Sequence, residues 1–266
     1  MKFLKTTSIA SFIFFLFFGF NANSQELHGI LCGGEIRQAD MDVAAEFESA
    51  NPGVTIKWEA VPWGTCQDKV INLAIAGDPV DLAYVGSRTL KGLAENGHII
   101  NVDIPQSQID MYQPGILNTV SHLGKVWGYP RAFSTKALFM NCDLLDQAGV
   151  ACEGPETWDE LYSMAEAVTN NVAGVAGIGL AGKDFDNTMH QFLNYLYSNG
   201  GQVIDPLTNE ITLDSSNTVQ ALEFYGKLAN VAQEGPLAWE RSQLTELFND
   251  EKIAMYINGP WGRGQH

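Results

Sequence analysis

Five aromatic residues, Trp63, Tyr84, Phe133, Phe185 and Trp261, fall at or just past the ends of apolar runs that read as strands. Short polar or charged side chains stand beside them: Glu35, Ser87, Arg131, Ser134 and Asp186. An aromatic face stacks on the apolar C–H face of a sugar ring while polar groups bond its hydroxyls. That is the chemistry of holding a small polar molecule rather than of making or breaking a bond. For any single aromatic, packing in the core is an equal expectation. Trp58, Trp127 and Trp158 read as core or loop packing.

Signals for covalent chemistry are sparse. The chain has no GxSxG, HExxH or GxxxxGK[ST], and its five histidines are scattered. With no clustered Cys/His spacing, no metal site is expected. Gly177-Ile178-Gly179-Leu180-Ala181-Gly182 matches GxGxxG, but its glycines lie within a strand-like run rather than after it, so a strand packed close to helices is expected and no cofactor. Asp78 belongs to a helix-ending turn, and Asp81 is expected to bond backbone at a strand start. A glycosidase needs carboxylates opposed across a sugar, a role that Glu35 and Asp186 fill only weakly.

The elements that must position these residues alternate. Leu27 to Leu31 reads as a strand ending in Gly33-Gly34, and Asp40 to Ser49 as a helix with Val43 and Phe47 sharing one face. Val54, Ile56 and Trp58 alternate with polar residues as a second strand. A helix over Gln67 to Ala76, a strand over Val80 to Val85 and a helix over Thr89 to Glu95 follow. This order implies right-handed crossovers and a mostly parallel sheet. A second set begins with a strand over Lys136 to Met140. Thr157-Trp158-Asp159-Glu160 is a capping box, Ile178 to Ala181 a strand and Met189 to Tyr197 a helix. A long helix over Ser216 to Ala232 is expected to turn Val219, Leu222, Phe224 and Leu228 inward. The last stretch, Phe248 to Trp261, runs helix, short turn, buried strand and then a Gly-Pro-Trp corner.

Lys2 and Lys5, the apolar run from Phe12 to Phe18 and the small residues of Ala22-Asn23-Ser24 read as a signal peptide over 1–24. Its removal takes two lysines and no acid, moving the net charge from −16 to −18. Such a surface disfavours nucleic acid and anionic membrane as partners. Apolar content of 45% supports a real core. Four cysteines in an exported chain favour disulfides. Of three connectivities, Cys32–Cys66 and Cys142–Cys152 are preferred; four buried free thiols are the alternative.

Several segments, in order, resemble the solute-binding proteins of ABC sugar importers, the maltose-binding-like group. They are Ala44-Ala45-Glu46-Phe47-Glu48 with Asn51-Pro52-Gly53-Val54, Ala76-Gly77-Asp78-Pro79-Val80-Asp81-Leu82 and Gly128-Tyr129-Pro130. Ala137-Leu138-Phe139-Met140-Asn141, Pro155-Glu156-Thr157-Trp158-Asp159-Glu160-Leu161 and Asn258-Gly259-Pro260-Trp261 continue the series. The resemblance implies an α/β, two-lobed, type II periplasmic-binding-protein-like fold, each lobe a mostly parallel sheet flanked by helices. The lobes would span 25–133 and 134–266, closing on a ligand like a clam shell. It implies a periplasmic, monomeric receptor that captures a mono- or oligosaccharide and delivers it to ABC permease subunits in the membrane, and that is not an enzyme. The same fold with a non-sugar solute, or a secreted carbohydrate-active enzyme, is the alternative. The resemblance places ligand contacts at Glu35, Trp63, Tyr84, Ser87, Arg131, Phe133, Ser134, Phe185, Asp186 and Trp261. Arg131 favours an acidic or strongly hydroxylated ligand. Family members usually continue well past the corner, so the C-terminal part is expected to be missing here.

Overall fold

The computed structural model describes residues 24–78, 80–205, 207–208 and 210–266. The expected signal peptide therefore lies outside the described residues, Ser24 excepted. The chain divides into two compact units, one ending at Arg131 and the other beginning at Ala132. No helix among the described residues is long and apolar enough to cross a membrane.

The first unit holds β1 (Gln25–Cys32), α1 (Gln38–Ala50), β2 (Val54–Val61), α2 (Trp63–Ala76), β3 (Leu82–Tyr84) and α3 (Ser87–Glu95). Short helices α4 (Gln106–Ile109) and α5 (Pro114–Val120) follow, then a small hairpin of β4 (Ser121–His122) and β5 (Lys125–Val126). The sheet order is β2-β1-β3, and both pairings are parallel. Parallel neighbours need crossovers, and α1 and α2 supply them. Gly29 of β1 lies under the Trp58 ring, where a Cβ would collide. The Asp81 carboxylate accepts the His28 N–H at 2.8 Å, so it closes the sheet before β3 begins. The core is Ile30, Cys32, Val61, Cys66, Val70 and Leu93. Cys32 and Cys66 form a disulfide inside it, Cα atoms 5.4 Å apart.

The inward face of α1 differs from the expected one. Its buried residue is Ala44, whereas Val43 is 64% and Phe47 43% exposed. An i,i+4 apolar pair marks a stripe, but Ala44 sits on the stripe that meets the rest of the unit.

The second unit holds β6 (Ala137–Met140), α6 (Cys142–Gln147), α7 (Trp158–Asn171), β7 (Ala176–Gly179), α8 (Asp186–Ser198), α9 (Ser216–Lys227), α10 (Arg241–Asn249) and β8 (Ile253–Asn258). Its sheet runs β6-β8-β7, with β8 parallel to β7 and antiparallel to β6. Every residue of the central β8 is buried. The capping box forms: the Glu160 N–H donates to Thr157 Oγ1 at 3.1 Å and the Thr157 N–H to Glu160 Oε2 at 3.3 Å. Cys142 and Cys152 form the second disulfide. Both preferred cysteine pairings are thus present, and there is no free cysteine among the described residues.

The GxGxxG glycines are packing residues. A Cβ on Gly177 would strike the Ala165 backbone of α7, and one on Gly179 would strike Ile253. The expected helix over Ser216 to Ala232 is α9 followed by a 3₁₀ turn, Leu228–Val231. Phe224 and Leu228 are buried as expected, but Val219 and Leu222 are 51% and 60% exposed. Phe224 stacks on Trp158 at 4.7 Å between centroids and leans on Tyr195, which fixes the inward stripe as Thr218, Ala221, Phe224 and Leu228.

Candidate functional site

In the first unit the candidate residues gather at the carboxyl ends of the strands, where open α/β sheets bind ligands. β1 ends at Cys32, and the chain turns through Gly33 (φ +141°) and Gly34 (φ +82°), both in backbone that favours glycine. Their N–H groups donate to the Val61 carbonyl at 3.0 and 3.1 Å. This turn lifts Glu35 out beside the strand ends. Trp63 opens α2 directly after β2 and Pro62. Tyr84 is the last residue of β3, and Ser87 opens α3. The Gly86 N–H donates to Gln67 Oε1 at 3.0 Å, tying the start of α3 to α2.

The Trp63 and Tyr84 rings meet, centroids 6.1 Å apart and tilted by 59°. The Arg131 guanidinium carbon stands 4.7 Å from the Tyr84 centroid. Its Nη2 donates to Asp40 Oδ1 at 2.6 Å. Asp40 Oδ2 accepts the Arg37 N–H at 3.1 Å, and Arg37 Nε donates to Glu35 Oε1 at 3.0 Å. The result is an aromatic pair edged by a relay of guanidinium and carboxylate groups, able to offer donors and acceptors to hydroxyls. Ser87 is exposed beyond it. Asp40 and Arg37 escaped the sequence reading because they lie at the start of α1, away from any strand end.

In the second unit the strand ends carry a different group. Past β7, the Gln233 side chain brackets Leu180, accepting its N–H at 2.9 Å and donating to its carbonyl at 2.7 Å. Phe185 is the N-cap residue of α8 and Asp186 its first residue. Asp186 Oδ1 lies 3.5 Å from His190 Nε2. Phe133 is 70% exposed, and Ser134 is exposed beside it.

The Gly-Pro-Trp corner rests on a buried polar group. Asn258 Oδ1 accepts the Gly259 N–H at 2.9 Å, and Asn258 Nδ2 donates to Tyr256 Oη at 2.6 Å. Tyr256 Oη donates to Thr245 at 3.3 Å, and burial pushes its titration upward. The benzo ring of Trp261 lies against Gly259, where a Cβ would collide with it. Trp261 is 39% exposed and is not a bare plate. Lys136 Nζ stands 4.4 Å from its centroid and the Arg241 guanidinium carbon 5.4 Å. Cations over an indole are attracted to its π face. Lys136 precedes β6 and Arg241 opens α10, far apart in sequence, so no local pattern announced their meeting.

Among the described residues, no group of three histidine, cysteine, aspartate or glutamate side chains is placed to hold a metal ion.

The profile of the bacterial extracellular solute-binding protein family matches residues 33–266. A Brucella abortus protein named as a putative binding protein is 28% identical over 230 residues, covering 83% of this chain and 54% of its own length. The arabinooligosaccharide-binding protein of Bacillus subtilis is 24% identical, covering 65% of this chain and 42% of its own. The chain thus spans about half the length of these relatives. Among solved structures, the GacH receptor of Streptomyces glaucescens, determined free and with acarbose, aligns with a TM-score of 0.75 and 26% identity, covering 90% of this chain and 61% of that one. An ABC transporter solute-binding protein of Thermotoga lettingae holding α-D-tagatose aligns with a TM-score of 0.77 at 24% identity, over 90% of this chain and 63% of that one.

Proposed function

The chain belongs to the bacterial extracellular solute-binding protein family, and from that membership we propose that it is a receptor that captures a sugar, performs no chemistry on it and hands it to an ABC importer. The observation that carries this reading is the gathering of Trp63, Tyr84 and Arg131 at the carboxyl ends of β1, β2 and β3 in a chain of this family. An aromatic pair offers a platform for the apolar face of a sugar ring, and the edging charges of Arg131, Asp40, Arg37 and Glu35 suit its hydroxyls. Glu35, Trp63, Tyr84, Ser87 and Arg131 are the proposed contacts of the first unit. Phe133, Ser134, Phe185, Asp186 and Trp261 are those of the second. Relatives named for binding arabinooligosaccharide and maltodextrin support the substrate class. The proposed location is the periplasm, the proposed partner the membrane permease of the importer, and the proposed state a monomer.

A thermal melt of the purified protein with and without a panel of mono- and disaccharides tests the reading. A ligand at a hundredfold its dissociation constant adds about 2.7 kcal/mol to the folded state. One or more sugars are expected to raise the melting temperature and to be recovered unchanged. Tyr84→Ala and Trp261→Ala are each expected to weaken binding of that sugar about tenfold or more, roughly 1.4 kcal/mol. Unchanged affinity in both variants would sink the assignment of these contacts. A cooperative melt unmoved by every sugar, or hydrolysis of a sugar during incubation, would overturn the proposal.

A further inference from the structure

Lys136 and Arg241 converge on one indole, and among the described residues neither forms an ion pair. Both are half-buried, and burial is the main reason that each holds its proton less tightly than usual. For Lys136 the repulsion of Arg241 adds to burial and outweighs the opposing pull of Asp186. Glu240 pulls on Arg241, but its carboxylate is engaged as the cap of α10, accepting the Ser242 N–H at 2.9 Å. The guanidinium is under-used: Nη1 makes long bonds of 3.3 Å to Thr245 and 3.5 Å to Asn258, and the buried Nε–H has no acceptor. A buried donor with no acceptor and two like charges held over one ring are both costly arrangements. An oxyanion placed between the two cations would offset their mutual repulsion, because ion-to-ion hydrogen bonds are the strong ones and a guanidinium matches an oxyanion.

We infer that the Lys136–Trp261–Arg241 cluster receives the negatively charged substituent of an acidic sugar, a ring carboxylate or a sulfate ester, with the indole beside the ring that carries it. This inference rests on the sugar-receptor reading and narrows its substrate class.

Calorimetric titration of the purified protein with galactose, galacturonate, galactose 6-sulfate and succinate tests it. One or both acidic sugars are expected to bind at least tenfold tighter than galactose. Which of the two is preferred identifies the oxyanion. Lys136→Met is expected to abolish that preference, and Lys136→Arg to keep most of it. Because Lys136 is a desolvated charge facing Arg241, Lys136→Met is also expected to leave the melting temperature of the ligand-free protein unchanged or higher. Equal or tighter binding of galactose would overturn the inference and leave the sugar receptor standing. Binding of succinate with no binding of any sugar would overturn the sugar-receptor reading, and with it the claim that the cluster serves a sugar. A Lys136→Met protein that melts lower and loses affinity for galactose and galacturonate alike would show a structural strut for the corner, and would equally overturn the inference.

Discussion

The two units each set aromatic residues at or near strand ends and are stabilised differently. The first relies on a small core, Ile30, Cys32, Val61, Cys66, Val70 and Leu93, with a covalent crosslink at its centre. The second has a core that runs from α6 and α7 through β7 and β8 to α8 and α9. There the disulfide is peripheral, joining residues 10 apart in sequence against 34 in the first unit. Buried apolar area scales with the size of a core, whereas a crosslink acts mainly on the unfolded chain and more strongly when the loop is long. Covalent restraint and burial thus substitute for each other within one chain.

The largest expected effect tests the burial side. Leu228→Ala, at a fully buried position of the second unit, is expected to cost about 3–5 kcal/mol in denaturant unfolding followed by a probe in that unit. Next comes the crosslink side. Replacing Cys32 and Cys66 together by alanine is expected to cost about 3–4 kcal/mol and to lower hydrogen-exchange protection across β1. Replacing Cys142 and Cys152 together is expected to cost less, about 2–3 kcal/mol. A larger loss from the second pair than from the first would undo the contrast between the units. Smaller still is a local effect in the second unit: Thr157→Ala removes a formed capping bond and is expected to cost about 1 kcal/mol in the same unfolding measurement. The smallest belongs to α1, where Val43→Ser on the exposed face is expected to change stability by less than about 0.5 kcal/mol.

Much of this was legible in the residues. The capping box at Thr157 and Glu160 is local chemistry, complete within four residues, and it forms as read. Asp81 bonds backbone at a strand start and the glycines of the GxGxxG run pack closely, both as read, although their partners, His28, Ala165 and Ile253, lie 12 or more residues away in sequence. What the residues could not decide was the choice between two apolar stripes on one helix. Val43 and Phe47 lost to Ala44, and Val219 and Leu222 lost to Thr218 and Ala221 beside the correctly read Phe224 and Leu228, because the inward stripe is set by what the rest of the unit presents. For α9 that partner is the Trp158 ring, brought from another helix. The candidate edge divides the same way. Trp63, Tyr84 and Arg131 meet because each ends or follows a strand or a chain segment near one. Arg241 reaches Trp261 only through the packing of α10 on β8, a contact with no trace in local spacing.

The Cys32–Cys66 bond also sets an order of events. Trp63 and Cys66 lie one turn apart on α2, so the bond that anchors Cys66 to the end of β1 anchors the turn that presents Trp63 as well. A chain still reduced, as in a cytoplasm that keeps thiols apart, has that turn untethered. For the proposed receptor, the grip on a ligand is therefore expected to mature only with oxidation, so that the place where the thiols close is also the place where capture would begin.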